Sequence, residues 1–255
     1  MEKYPRSSAE LTDLANASRK FVLPGFVPEK PFLTKADSIW TIGSCFAVNI
    51  LAALKAHGIK CANSELMEGV NSPPMLRLYL EGIASGVSSY VSAAEIKDVR
   101  AIIASAKGAI LTFGLAVAPL TAQGTLAINE PGELKAISAA AAEADIAGAV
   151  QALKAINPDI HAFLTLSPVP LNRSFWSSAP VVADCVSKST LRVALDQFLQ
   201  TAPANVHYWP AFEIVRWLGA HRAGHYAADD GLQRHVSRNV VDVATGLFIE
   251  SFFAA

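Results

Sequence analysis

Short, nearly continuous apolar runs separated by longer helical patterns constrain this chain more than any other feature. The runs are SIWTIG (38–43), the weaker GIKCAN (58–63), GAILTFG (108–114), IHAFLTLSP (160–168) and NVHYWPAF (205–212). Helices are expected at 45–57, 73–84, 92–106, 133–156, 187–200 and 237–253. Strands that are apolar on both faces and alternate with helices predict a parallel sheet covered on both sides. The expected fold class is therefore α/β, a three-layer α/β/α sandwich around a five-stranded parallel sheet. Right-handed crossovers leave few topologies, and the flavodoxin-like order 2-1-3-4-5 is the simplest. In that order a ligand sits where the ends of the first and third strands flank the switch point. Those ends are Gly43-Ser44-Cys45 and Phe113-Gly114.

Composition narrows the function classes. With 255 residues, 52% of them hydrophobic and 17% charged, the chain can bury a large core and is not disordered. A net charge of −1 with scattered basic residues offers no field for nucleic acid or an anionic membrane. No uninterrupted apolar run reaches ~18 residues, so no membrane span is expected. The first twenty residues, MEKYPRSSAELTDLANASRK, lack the apolar core of a signal peptide. Three widely spaced cysteines, Cys45, Cys61 and Cys185, suit neither a disulfide framework nor a zinc site, and a reducing cytoplasm is the expected location. Three prolines within FVLPGFVPEKPFLTKAD predict that residues 1–36 form an extended arm packed on a single domain spanning 37–255.

The Gly43-Ser44-Cys45 turn carries two candidate nucleophiles. A plain reading makes Ser44 the helix N-cap and Cys45 a small apolar filler. The chemical reading starts from the same cap. If Ser44 caps, Cys45 occupies the first helical position, where unpaired amides and the helix dipole stabilise a thiolate. The same amides can hold an oxyanion. Ser44 would need a general base to become nucleophilic.

TIGSCFAVNI (41–50) resembles the motif that names the GSCFA family, bacterial proteins related to the SGNH (GDSL-like) hydrolases. ILTFGLA (110–116), LTLSPVPLNRSF (164–175), SKSTLRVAL (187–195), VHYWPAFEIV (206–215) and DDGLQRHVS (229–237) resemble further family segments, in order. The resemblance implies an SGNH hydrolase-like sandwich, a GSCFA domain over 37–255, and an active site at the C-terminal ends of the strands. In SGNH enzymes a Gly-Asp-Ser turn ends the first strand and its serine attacks. Aligning the glycines puts Ser44 on the aspartate and Cys45 on the nucleophile, whereas a one-residue shift restores Ser44.

The resemblance also implies a base at His235, in the loop before the last helix, where it can take and return the nucleophile's proton. SGNH enzymes place aspartate three residues before this histidine, but position 232 is Leu232. Asp230, or Asp229 beside it, can serve only if the segment folds back; otherwise the pair is a Cys–His dyad. Gly114 and Asn71 are the expected oxyanion donors, although no asparagine follows Gly114 as it does in SGNH enzymes. Ser167, Arg192 and Glu213 fall in family-like segments and suit packing or a salt bridge. His57, His161 and His207 read as peripheral or core residues, and His221 with His225 has metal-ligand spacing but no third ligand nearby.

The expected activity is hydrolysis or transfer of an acyl ester through a covalent acyl-enzyme. The substrate would be an acylated glycan or small ester, without metal or cofactor unless a transferase draws on a donor such as acyl-CoA. The alternatives are a non-catalytic member that binds a glycan or acyl group, and a redox-sensing thiol at Cys45. The sequence is silent on oligomeric state.

Overall fold

The computed structural model describes residues 3–43, 45–66, 71–123, 126–127, 132–171, 174 and 179–254. Ser44 lies outside the described residues, and with it the expected cap of the following helix. Five parallel strands form the sheet: β1 (Ser38–Gly43), β2 (Lys60–Glu65), β3 (Gly108–Phe113), β6 (His161–Leu166) and β7 (Val206–Tyr208). Their order is β2-β1-β3-β6-β7, the flavodoxin-like arrangement expected from the alternation. Between β3 and β6 the chain makes an antiparallel hairpin of β4 (Val117–Leu120) and β5 (Glu133–Ala136).

Each central strand feeds both faces, as a period of two requires. Trp40, Ile42, Ala109, Leu111, Phe113, Ala162, Leu164 and Leu166 point into one core. That core is closed by α3 (Pro73–Ser85), α4 (Ala93–Ser105), α5 (Ala139–Ile156) and α6 (Pro180–Leu199). The intervening Ile39, Ile110 and Phe163 point into the other. There α1 (Leu14–Phe21), α2 (Cys45–Ala56) and α7 (Arg238–Phe252) cover the sheet.

Four expectations are corrected in detail. The arm is not extended throughout. Upstream of Pro24, Pro28 and Pro31, Asp13 caps α1 by accepting from the Asn16 amide at 3.0 Å. Glu133–Ala136, expected to be helical, forms β5, and α5 starts behind the Ser138 cap. The alanine-rich composition that favours helix is concentrated after that cap. α6 starts earlier than expected, with Pro180 in its first turn, where a missing N–H costs nothing. The last strand stops at Tyr208, and Glu213–Leu218 winds as a π-helix instead.

Gly43 sets the exit of β1. Its φ is +150°, and a Cβ there would lie 2.8 Å from the Thr112 Cβ and 3.1 Å from the Ala47 Cβ. Glycine is thus required for both backbone conformation and space. We expect Gly43→Ala to destabilise the fold by roughly 2–4 kcal/mol, strain and overlap together, in urea unfolding. Gly246→Ala, in α7 with no atom near the added methyl, should stabilise it by about 0.5–1 kcal/mol.

At the opposite end of the sheet, His161 Nδ1 and His207 Nε2 lie 3.1 Å apart, with Phe32 of the arm stacked on both rings. Burial, the neighbouring His161 and Lys154 push the His207 pKa from 6.5 down to about 4. The folded chain therefore resists a proton that the unfolded chain accepts between those values. This contribution to stability is intact above pH 6.5 and is lost as pH falls through about 4. Unfolding midpoints at about pH 7 and about pH 4.5 should show a loss of roughly 1–2 kcal/mol that His207→Phe reduces.

Candidate active site

Three neighbouring strands end together. Gly43, Gly114 and Ser167 lie at or just past the ends of β1, β3 and β6, and the Ser167 amide donates to the Phe113 carbonyl at 2.8 Å. α2 begins at Cys45, two residues beyond Gly43, with its thiol exposed. The first turn of a helix leaves amides without intrahelical partners, so Cys45 sits at the positive end of α2.

On one side of Cys45 is an open cleft of about 480 Å³. Asn49 and Ala53 of α2, the 229–236 loop and the first turns of α7 line it. His235 and Asp230 face this cleft as a pair, with His235 Nδ1 2.6 Å from Asp230 Oδ2. The five-residue spacing is bridged by a fold-back. Asp230 Oδ1 accepts from the Leu232 amide at 2.9 Å, and the His235 amide donates to the Leu232 carbonyl at 2.9 Å. The hydrogen bond from His235 is the main reason that the Asp230 carboxyl titrates below its usual range. Asp229 does different work. It accepts from the Arg238 amide at 2.6 Å, at the N-terminal end of α7. With Nδ1 engaged by Asp230, Nε2 is the ring nitrogen left for proton transfer.

On the other side of Cys45 is a small recess of about 10 Å³, walled by Asn71, Gly114, Ser167 and Lys188 among others. That volume matches about one water-sized probe. Asn71 is buried, and its carbonyl accepts from the Gly114 amide at 3.1 Å and from the Leu115 amide at 2.9 Å. The expectation that the Gly114 amide donates to an oxyanion is therefore corrected, because the Asn71 carbonyl occupies it. Gly114 has a steric role instead. A Cβ there would stand 2.6 Å from Asn71 Nδ2.

Two side chains from α6 hold the loop after β3. Ser187 Oγ accepts from the Ala116 amide at 2.8 Å, and Lys188 Nζ donates to the Gly114 carbonyl at 2.8 Å. Both residues are buried. Asp184, one turn earlier, accepts from the Leu171 amide and pairs with Arg216 at 2.6 Å. Arg216 and Tyr226 both donate to the Pro168 carbonyl. The 167–171 loop that carries Val169 to the cleft is thus braced from α6, the π-helix and the 226 region. Sequence reading did not single out Lys188, Asp184 or Arg216. The family-like SKS segment at 187–189 was the available signal for Lys188.

The remaining candidates lie elsewhere. Arg192 and Glu213 pair at 2.7 Å, and the buried Tyr208 hydroxyl donates to the same carboxylate at 2.8 Å, as the packing and salt-bridge reading expects. His225 is buried against Gly219, and burial lowers its pKa. Among the described residues, no group of three or more His, Cys, Asp or Glu side chains could hold a metal ion. No helix among them is long and apolar enough to cross a membrane.

Comparison with known structures agrees with the fold. A carbohydrate esterase family 2 enzyme with a carbohydrate binding domain, from Corynascus thermopiles (Myceliophthora fergusii), superposes with a TM-score of 0.52 at 16% identity. The match covers 88% of this chain and 67% of that one. The periplasmic domain of a lipopolysaccharide acetyltransferase from Salmonella ser. Paratyphi A gives a TM-score of 0.44 at 12% identity, over 95% of this chain and 97% of that one. No curated protein matches the chain in sequence. The chain shares its α/β/α fold with that carbohydrate esterase. The GSCFA family model matches residues 85–248, from the end of α3 to the last turns of α7, and the chain belongs to the GSCFA family.

Proposed function

We propose that this protein is an acyl esterase or O-acyltransferase that forms a thioester on Cys45. One observation carries the reading: Cys45 lines both the cleft that holds the His235–Asp230 pair and the small recess next to Asn71 and Lys188. A nucleophile between a base and an oxygen-sized recess has what acyl transfer needs.

His235 Nε2 takes the thiol proton as Sγ attacks the ester carbonyl carbon. The carbonyl π pair moves onto oxygen and forms the oxyanion. That pair returns, the C–O bond to the leaving group breaks, and the departing oxygen takes the proton from Nε2. Water, or an acceptor hydroxyl in a transferase, then gives its proton to Nε2 as its oxygen attacks the thioester carbonyl, the C–S bond breaks, and Sγ takes the proton back from Nε2. Asp230 holds the ring by Nδ1 and stabilises the imidazolium. These steps call for no metal. A donor such as acyl-CoA enters only in the transferase version.

The open cleft, with Asn49, Asp229, Arg238 and Asp242 on its walls, suits a polar substrate such as an acylated glycan. The carbohydrate esterase with the same fold supports that choice of substrate class. The engaged Gly114 amide is the one observation that favours the rival reading, a binding protein without turnover.

The test uses the full chain with 4-nitrophenyl acetate and an acetylated xylo-oligosaccharide. Cys45→Ala should lower kcat/KM by at least about 10³-fold, while Ser44→Ala keeps most of it. The reverse pattern moves the nucleophile to Ser44, and no turnover by the unmodified chain favours the binding protein. Trapping in acid should leave an acetyl group on the Cys45 peptide that neutral hydroxylamine removes. Asp230→Asn should cost about 10–100-fold in kcat with little change in KM, below the full 10²–10⁴ of a general base, because the ring remains.

A further inference from the structure

SGNH enzymes complete the oxyanion hole with an asparagine after the third-strand glycine. Here Gly114 is followed by Leu115 and Ala116, and the Gly114 amide is spent on Asn71. Neither that asparagine nor the Gly114 amide is therefore offered to an oxyanion. Beside Asn71, a lysine lines the recess. We propose that Lys188 is a catalytic residue whose buried ammonium stabilises the oxyanion formed when Cys45 attacks an ester carbonyl. This rests on the acyl-transfer reading of the site.

Three observations support it. Among the described residues that line the recess, Lys188 is the charged side chain. The residue is 3% exposed, so little water screens its charge. Its position is fixed by the 2.8 Å bond from Nζ to the Gly114 carbonyl, at the end of the strand beside β1. A lysine in the middle of α6 does not reach a strand end by chance of exposure.

The chemistry follows from the two-sided position of Cys45. In the ground state the carbonyl oxygen is neutral and gains little from a nearby cation. In the tetrahedral intermediate that oxygen carries a full negative charge, and the interaction strengthens. An interaction that grows toward the transition state raises kcat more than it lowers KM. The ammonium keeps its proton throughout, so the proton still travels only between Sγ, His235 and the leaving oxygen. A cation here does the work that an asparagine amide and a glycine amide share in the SGNH enzymes.

The experiment compares Lys188→Gln and Lys188→Arg in the full chain, with 4-nitrophenyl acetate as substrate. Lys188→Gln keeps an N–H for the Gly114 carbonyl and removes the charge. It should lower kcat by about 10²–10³-fold with KM within a few-fold, whereas Lys188→Arg should recover much of the loss. Alkylation of Cys45 by iodoacetamide separates this role from a structural one. That reaction displaces iodide at a saturated carbon and forms no oxyanion. Its rate should be nearly unchanged in Lys188→Gln.

Parallel loss of alkylation and turnover would make Lys188 a structural residue and overturn the proposal, as would wild-type turnover in Lys188→Gln. If Cys45→Ala also retains turnover, the reading of the whole site fails rather than that of the lysine alone. An unmodified chain that turns over no ester overturns both. If Lys188→Gln does not fold, the unmodified chain can be tested with the matching thiono ester. A sulfur is too large for the recess, so the preference for the oxygen ester over its thiono counterpart should greatly exceed that of free N-acetylcysteine. An equal preference overturns the oxyanion recess.

Discussion

The close approach of β1 to β3 at Gly43 governs what lies beyond the sheet. Parallel strands in neighbouring register bring the end of β1 against Thr112, one residue before β3 ends. Only a residue without Cβ can turn there, and the turn sends the chain straight into α2. Cys45 is therefore held by main-chain geometry rather than by its own side-chain contacts. Because β1, β3 and β6 end side by side, the loops that follow converge on the same point. The 167–171 loop is braced there by Asp184, Arg216 and Tyr226, and the 114–116 loop by Ser187 and Lys188. All of these anchors lie outside the strands themselves. The sheet supplies the position, and the surrounding helices supply the rigidity.

Much of the fold was legible because it rests on periodicity. Both-sided apolar strands separated by helices have few solutions, and the observed five-strand order is the simplest of those that right-handed crossovers allow. The errors fell where periodicity says little. β4 and β5 are four residues each, and the apolar, alanine-rich surroundings of β5 read as helix. α1 went unseen because the prolines downstream of it dominated the reading of the arm. The Asp13 cap was a real but single-residue signal.

The candidate site was legible in part, and for a different reason. His235 and the Gly-Ser-Cys turn are local signals, readable from motif and position. Asp230 was nameable only as one of two acids, since choosing it needs the fold-back through Leu232 that no spacing rule supplies. Lys188 lay in a family-like segment but was not singled out. A lysine within an amphipathic helix pattern reads as a solvated residue, and only the burial of α6 against the strand ends reverses that. Gly114 was placed correctly at the switch point, yet the use of its amide by Asn71 depends on a contact between segments more than forty residues apart. Local chemistry is visible in the sequence, whereas the pairing of distant polar groups is not.

The two sides of Cys45 differ in their solvent, and this bears on what substrate the site can use. The His235–Asp230 pair is roughly two-fifths exposed, so water screens it and competes for its hydrogen bonds. Lys188 is buried and needs no such help. A small ester reaching Cys45 would fill the recess and leave His235 wet. A larger one lying along the cleft would cover the histidine, remove water from it and strengthen its bond to Asp230. On the proposed mechanism, binding energy from parts of the substrate remote from the ester is converted into a His235–Asp230 contact better shielded from water. The rate on a bulky glycan ester should then exceed that on a simple aryl ester, although the aryl ester has the better leaving group.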